Sequence, residues 1–164
     1  MRRKATRPGS AMYISVTCAL VFVHAATLPA TAHEGATGVV KERMDMMRSV
    51  AQSMKRIHNQ LKLGAGLDHA AIAREAASIA GHSRDLVKKF PAGSGGGVSE
   101  AKPDIWQNPR DFTAKSEAFT AAARRLSDAA GKADSSNLTA LFRDMGSTCS
   151  ACHRDYRQKK TRHR

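Results

Sequence analysis

Near its C-terminus the chain reads Cys149-Ser150-Ala151-Cys152-His153, and this pentapeptide constrains the fold more than any other stretch. C-x-x-C-H is the attachment signature of c-type haem, in which two thiols add to the haem vinyl groups and the histidine ligates the iron. On a helix, positions i, i+3 and i+4 fall within an arc of about 100°. Cys149, Cys152 and His153 can then meet one porphyrin face without distorting the backbone. Two rival readings are weaker. A redox disulfide usually opens a helix after a strand, and no strand-like run lies nearby. A zinc site normally needs about four ligands, and no second Cys/His cluster completes one.

The N-terminus reads as a secretory signal. Arg2, Arg3, Lys4 and Arg7 form a basic leader, Ala11 to Leu28 is apolar and uncharged apart from His24, and Ala30-Thr31-Ala32 supplies a small-x-small cleavage pattern. Residues 1–32 are therefore expected to be removed, leaving 33–164 as one working domain in the periplasm. Cys18 leaves with the signal, so Cys149 and Cys152 are the only cysteines of the mature chain. Export suits the motif, because haem attachment to it is understood to occur on the outer side of the membrane.

Four of the 27 Lys+Arg and none of the 14 Asp+Glu lie in the signal, so the mature chain keeps a formal charge of +9. Nucleic acid is an unsuitable partner for an exported basic protein. An acidic redox partner protein or an anionic membrane surface is the better expectation. The last eleven residues, Arg154 to Arg164, form a basic tail with six Lys/Arg against one Asp.

Between these ends the apolar residues recur at threes and fours, which predicts helices and nothing that reads as a strand. Helix A covers Val39 to about Lys62 with Val40, Met44, Met47, Val50, Met54, Ile57 and Leu61 on one face. Helix B runs from about His69 to Lys89, capped by Asp68 and stopped by Pro91. A Gly-rich crossover follows, Pro91 to Gly97, and then the lone Trp106, for which core packing or a place at the haem edge are the two readings. Helix C begins at Pro109 with Asn108 as its cap and ends near Ala130-Gly131. Helix D carries Leu138, Leu141, Phe142, Met145, Cys149, Cys152 and Tyr156 on one stripe. Four such helices predict an all-α, antiparallel up-down-up-down bundle enclosing the haem.

The chain resembles the cytochrome c prime family, which includes five-coordinate cytochromes c′ and low-spin cytochromes c-556. The resemblance rests on the haem motif in the last helix with Tyr156-Arg157 behind it, on Phe90-Pro91-Ala92-Gly93 closing helix B, on Ala101-Lys102-Pro103-Asp104-Ile105-Trp106, and on the Arg43-x-x-x-Met47 spacing. It implies one covalent haem c wedged inside the bundle, with His153 as the proximal iron ligand, Arg43 near a haem propionate and Met47 over the iron. It also leaves room for a homodimer formed through helices A and B. Residues i and i+4 share a helix face, so Arg43 can reach a charged porphyrin rim while Met47 points at its centre. An arginine inside an apolar stripe also asks for an anion.

Position 47 decides the function. A bonded Met47 sulfur gives a six-coordinate, low-spin His/Met site suited to electron transfer. That electron carrier is the first expectation, with Met44 as the fallback ligand. A five-coordinate protein that binds nitric oxide or carbon monoxide is the alternative. His58 and His82 are read as solvent-facing or satisfied histidines. No nucleophile with a base and no paired carboxylates stand out, so no enzyme is expected.

Overall fold

The computed structural model describes residues 35–158; the expected signal, its cleavage site, Cys18 and the end of the basic tail lie outside the described residues. Among the described residues there are five α-helices: α1 (Gly38–Leu61), α2 (His69–Arg84), α3 (Asp104–Gln107), α4 (Pro109–Gly131) and α5 (Leu138–Tyr156). The four long ones are the expected helices A to D. The single turn α3 falls in and just after the stretch Ala101 to Trp106, where no helix is expected.

Local chemistry sets most of the boundaries. After α1 the backbone turns through Gly64 at φ +58°, a conformation glycine adopts without a Cβ penalty. The Asp68 carboxylate accepts the Ala71 N–H at 2.9 Å and caps α2 as expected. Pro109 occupies the first turn of α4, but Asn108 does not cap it. Its side-chain amide donates instead to the Asp104 carbonyl at 3.4 Å, closing α3. Helix α2 ends at Arg84, short of the expected Lys89, and the chain tightens into a 3-10 turn over Val87–Lys89.

Two apolar clusters result. The larger one is mostly aliphatic, with Phe119 among its buried members, and is centred on the contact of α2 with α4, the most extensive between helices among the described residues. Ile57, Ile72, Ile79, Leu126, Leu138 and Met145 are each under 2% exposed. Full burial of such a side chain contributes about 1.5–3 kcal/mol. Alanines 76, 80, 122, 123 and 130 share the cluster, and their small side chains let the helices approach closely. The smaller cluster is mostly aromatic: Ile105, Phe112 and Tyr156 with Ala101, flanked by Phe90, Trp106 and Cys152. Across the outside, Arg56 makes a two-point ion pair with Glu75, at 2.6 and 2.8 Å, that joins α1 to α2.

Candidate haem site

Helix α5 carries the haem motif across the boundary between the two clusters. Cys149 packs against the aliphatic cluster and Cys152 against the aromatic one. Both are free thiols and half-buried. Burial raises the pKa of each, Cys152 to about 11. That is the reverse of the lowered pKa a redox-active thiol needs. Among the described residues no three His, Cys, Asp or Glu side chains are grouped to hold a metal ion. Two unpaired thiols between apolar walls, with an imidazole one residue further, fit a large apolar ligand that brings its own metal and is tethered covalently.

His153 lies on the exposed side of the same turn. Partial burial of its ring lowers its pKa, and the Arg157 charge adds to the effect. The turn that bears it is fixed from outside the helix. Ala101 and Arg157 form an isolated antiparallel bridge, with Lys102 N–H donating to the Tyr156 carbonyl at 3.0 Å and Gln158 N–H to the Glu100 carbonyl at 2.7 Å. The Arg157 Nε–H donates to Glu100 Oε2 at 2.7 Å, and Lys102 Nζ donates to the Arg154 carbonyl at 2.9 Å. Carbonyls that would otherwise be orphaned at the helix end are thereby satisfied.

A polar network backs the aromatic cluster. The Tyr156 hydroxyl donates to Asp111 Oδ2 at 2.5 Å, and Lys115 Nζ stands 3.5 Å from Asp111 and 3.2 Å from Asp155. Burial and the Asp111 hydrogen bond push the Tyr156 pKa to about 12. Trp106 packs as the first of its two readings expects, and its indole N–H is engaged as well. It belongs to the aromatic cluster, and its indole N–H is shared between the carbonyls of Phe90 and Pro91, both at 3.0 Å. Gly95 lies so close to the indole that an added Cβ would stand 2.9 Å from the ring.

Arg43 is only 4% exposed, yet its hydrogen-bond acceptors are neutral. Nη1 donates to Ser94 Oγ at 3.0 Å and to the Lys89 carbonyl at 3.4 Å. Nη2 donates to the Ser94 carbonyl at 2.6 Å and to Ser99 Oγ. The guanidinium carbon sits 4.7 Å from the centroid of the Phe90 ring, a cation–π placement. Within the protein itself the Gly-rich crossover supplies these polar acceptors and the Phe90 ring face lies against the guanidinium. From Phe90 a relay of edge-to-face rings runs through Phe112 to Tyr156, with centroids 5.0 and 5.2 Å apart. It connects Arg43 to the cluster that holds Cys152.

Met47 and Met44 are half-buried on α1, and neither belongs to the two apolar clusters. His58 is exposed and stacks on Phe142 at 6.2 Å, while His82 is half-buried in α2. Sequence reasoning missed Ser94, Ser99, Asp111 and Lys115. A serine pair in a Gly-rich loop carried the one available hint, and its meaning depends on a helix some fifty residues earlier.

Known proteins share this fold and sequence pattern. Residues 38–157 match the family described as Cytochrome C'. Cytochrome c-556 of Agrobacterium tumefaciens (strain II Chrys) is 33% identical over 123 residues, 75% of this chain and 99% of that protein. Cytochrome c' of Alcaligenes xylosoxydans xylosoxydans is 34% identical over 121 residues, 74% of this chain and 94% of that one. A nitric oxide complex of a cytochrome c prime variant from Alcaligenes xylosoxidans superposes with a TM-score of 0.67 at 33% identity, covering 74% of this chain and 94% of its own. The bundle and the cofactor follow from the match: this chain belongs to the cytochrome c' family, four-helix c-type cytochromes that bind a covalently attached haem c.

Proposed function

We propose that the protein is a periplasmic cytochrome in which Cys149 and Cys152 tether the haem, His153 ligates the iron from α5, and α1 covers the opposite face, where a small gaseous ligand such as nitric oxide binds. The observation that carries this reading is the likeness to solved cytochromes c prime, one of them a nitric oxide complex at 33% identity. Held by Cys149, Cys152 and His153, the haem would supply a redox-active iron able to bind a small ligand. The chain's own residues do the rest. The aliphatic and aromatic clusters exclude water on the two sides of the haem motif. The bridge at Ala101 and Arg157 holds the turn of His153 in place, and Met44 and Met47 offer a soft, adaptable lining from α1.

A second reading has its own support. Met47 stands one turn beyond Arg43, and relatives named cytochrome c-556 and cytochrome c-554 match as well as those named cytochrome c'. If the Met47 sulfur bonds the iron, the protein is an electron carrier with a low-spin His/Met site, and the mature positive charge favours an acidic redox partner.

Optical spectra of the purified holoprotein separate the two. The gas-binding reading expects a high-spin ferric spectrum that Met47→Leu leaves unchanged, and a ferrous form that takes up nitric oxide. A low-spin spectrum that Met47→Leu converts to high-spin assigns the electron carrier instead.

A further inference from the structure

The guanidinium of Arg43 has five N–H donors. Among the described residues the four on Nη1 and Nη2 are directed at the carbonyls of Lys89 and Ser94 and the hydroxyls of Ser94 and Ser99. Nε–H is the donor left over. The acceptors come from one short segment, and that segment is itself fastened down. Ser94 Oγ donates to the Pro91 carbonyl at 2.8 Å, Ser99 Oγ accepts the Ala101 N–H at 3.1 Å, and Ser99 N–H donates to the Gly96 carbonyl at 3.0 Å. Ser99 is buried, which is unusual for a serine in a loop of glycines.

We infer that Ser94 and Ser99 are positioning residues for Arg43: they hold its fork in the crossover loop, so that a haem carboxylate meets only Nε–H unless the loop lets go. The loop and the haem edge then share one cation. A carboxylate that draws the Nη groups must displace two hydroxyls and two carbonyls, and loosening the loop frees the same groups for the carboxylate. The part of this that concerns the haem rests on the function proposed above. The fastening of the loop does not.

The full-length holoprotein with Ser94→Ala and Ser99→Ala together is the test, read in two ways. Amide hydrogen exchange across residues 91–101 is expected to quicken several-fold while exchange in α2 and α4 stays as in the wild type. The midpoint potential of the haem is expected to shift, because the fork is no longer held away from its carboxylates. Ser99→Thr, which keeps the hydroxyl, restores both on the Ser94 wild-type background. Unchanged exchange in 91–101 overturns the fastening, and an unchanged potential beside quickened exchange overturns the coupling. A colourless protein with quickened exchange removes the haem reading while leaving the fastening supported. Arg43→Lys, which keeps the charge but loses the fork, is expected to quicken the loop as much as the double serine variant; a loop as slow as wild type there overturns the role of the fork.

Discussion

The two apolar clusters are built on different principles. The aliphatic one closes by volume: six side chains under 2% exposed, alanines between them, and few polar atoms to satisfy. The aromatic one has only four buried members and is held by directional bonds at its edge, from the Trp106 indole, the Tyr156 hydroxyl and the Arg43 fork. Burial alone organises the first, whereas the second needs geometry set by partners far away in sequence. Cys149 stands on the first and Cys152 on the second, so a haem tethered as proposed would join a region that packs by itself to one that does not.

Losing the cofactor should divide the molecule most sharply. The pair Cys149→Ser and Cys152→Ser is expected to yield a polypeptide whose pigment, if any, extracts into acid acetone. Its amide exchange should be fast around Ile105, Phe112 and Tyr156 and still slow around Ile72, Ile79 and Leu126. Equal loss in both places would erase the contrast. Leu126→Ala attacks the aliphatic side and is expected to cost about 2–5 kcal/mol in urea unfolding, in haem-loaded and haem-free protein alike. On the aromatic side Trp106→Phe keeps an aromatic ring but removes the shared N–H and the part of the indole beside Gly95. The lost hydrogen bond alone is expected to cost about 0.5–1.5 kcal/mol, confined to the haem-loaded form if the second cluster is already loose without haem.

A smaller effect of opposite sign is available outside both clusters. Ala133 has φ +55° just past α4, and the Asp134 N–H reaches back to the Ala129 carbonyl at 3.2 Å, a Schellman closure in which glycine is favoured. Ala133→Gly should therefore stabilise the protein by up to about 1 kcal/mol in thermal unfolding, with the spectrum untouched.

The smallest effects are in pH. The Tyr156 hydrogen bond, with Lys115 nearby, holds the Asp111 pKa below its ordinary 3.8. Its contribution is present above that value and fades as pH falls through the lower, folded one. Tyr156 runs the other way: raised to about 12, it contributes fully below the ordinary 10.0 and loses its share as pH rises through about 12. With residues 1–32 removed Tyr156 is the only tyrosine, so tyrosinate absorbance reports it alone. Asp111→Asn should bring that midpoint down toward the ordinary value.

How much of this was legible in the sequence follows the same division. The long helices could be read because apolar spacing repeats within each one and because Asp68 and Pro109 mark two starts by local chemistry. The end of α2 could not, since Pro91 was the visible stop. The earlier break at Arg84 brings the Lys89 carbonyl to Arg43 and the Phe90 carbonyl to Trp106, partners that no local window contains. Asn108 looked like a cap because a helix starts after it, but the preceding turn α3 claims its side chain. Arg43 stands out in its apolar stripe, but its neutral partners are out of reach for the same non-local reason. The motif at Cys149, Cys152 and His153 is legible as a candidate site at once, because it lies within five consecutive residues.

The antiparallel pairing of Ala101 with Arg157 works like a buckle: it joins the stretch before α3 to the end of α5 and closes immediately behind His153. Until Gln158 has met Glu100, the turn bearing the thiols is unfastened at its downstream end. Once they have met, Glu100 and Lys102 hold that end from outside the helix, so the turn no longer depends on the helix alone for its position.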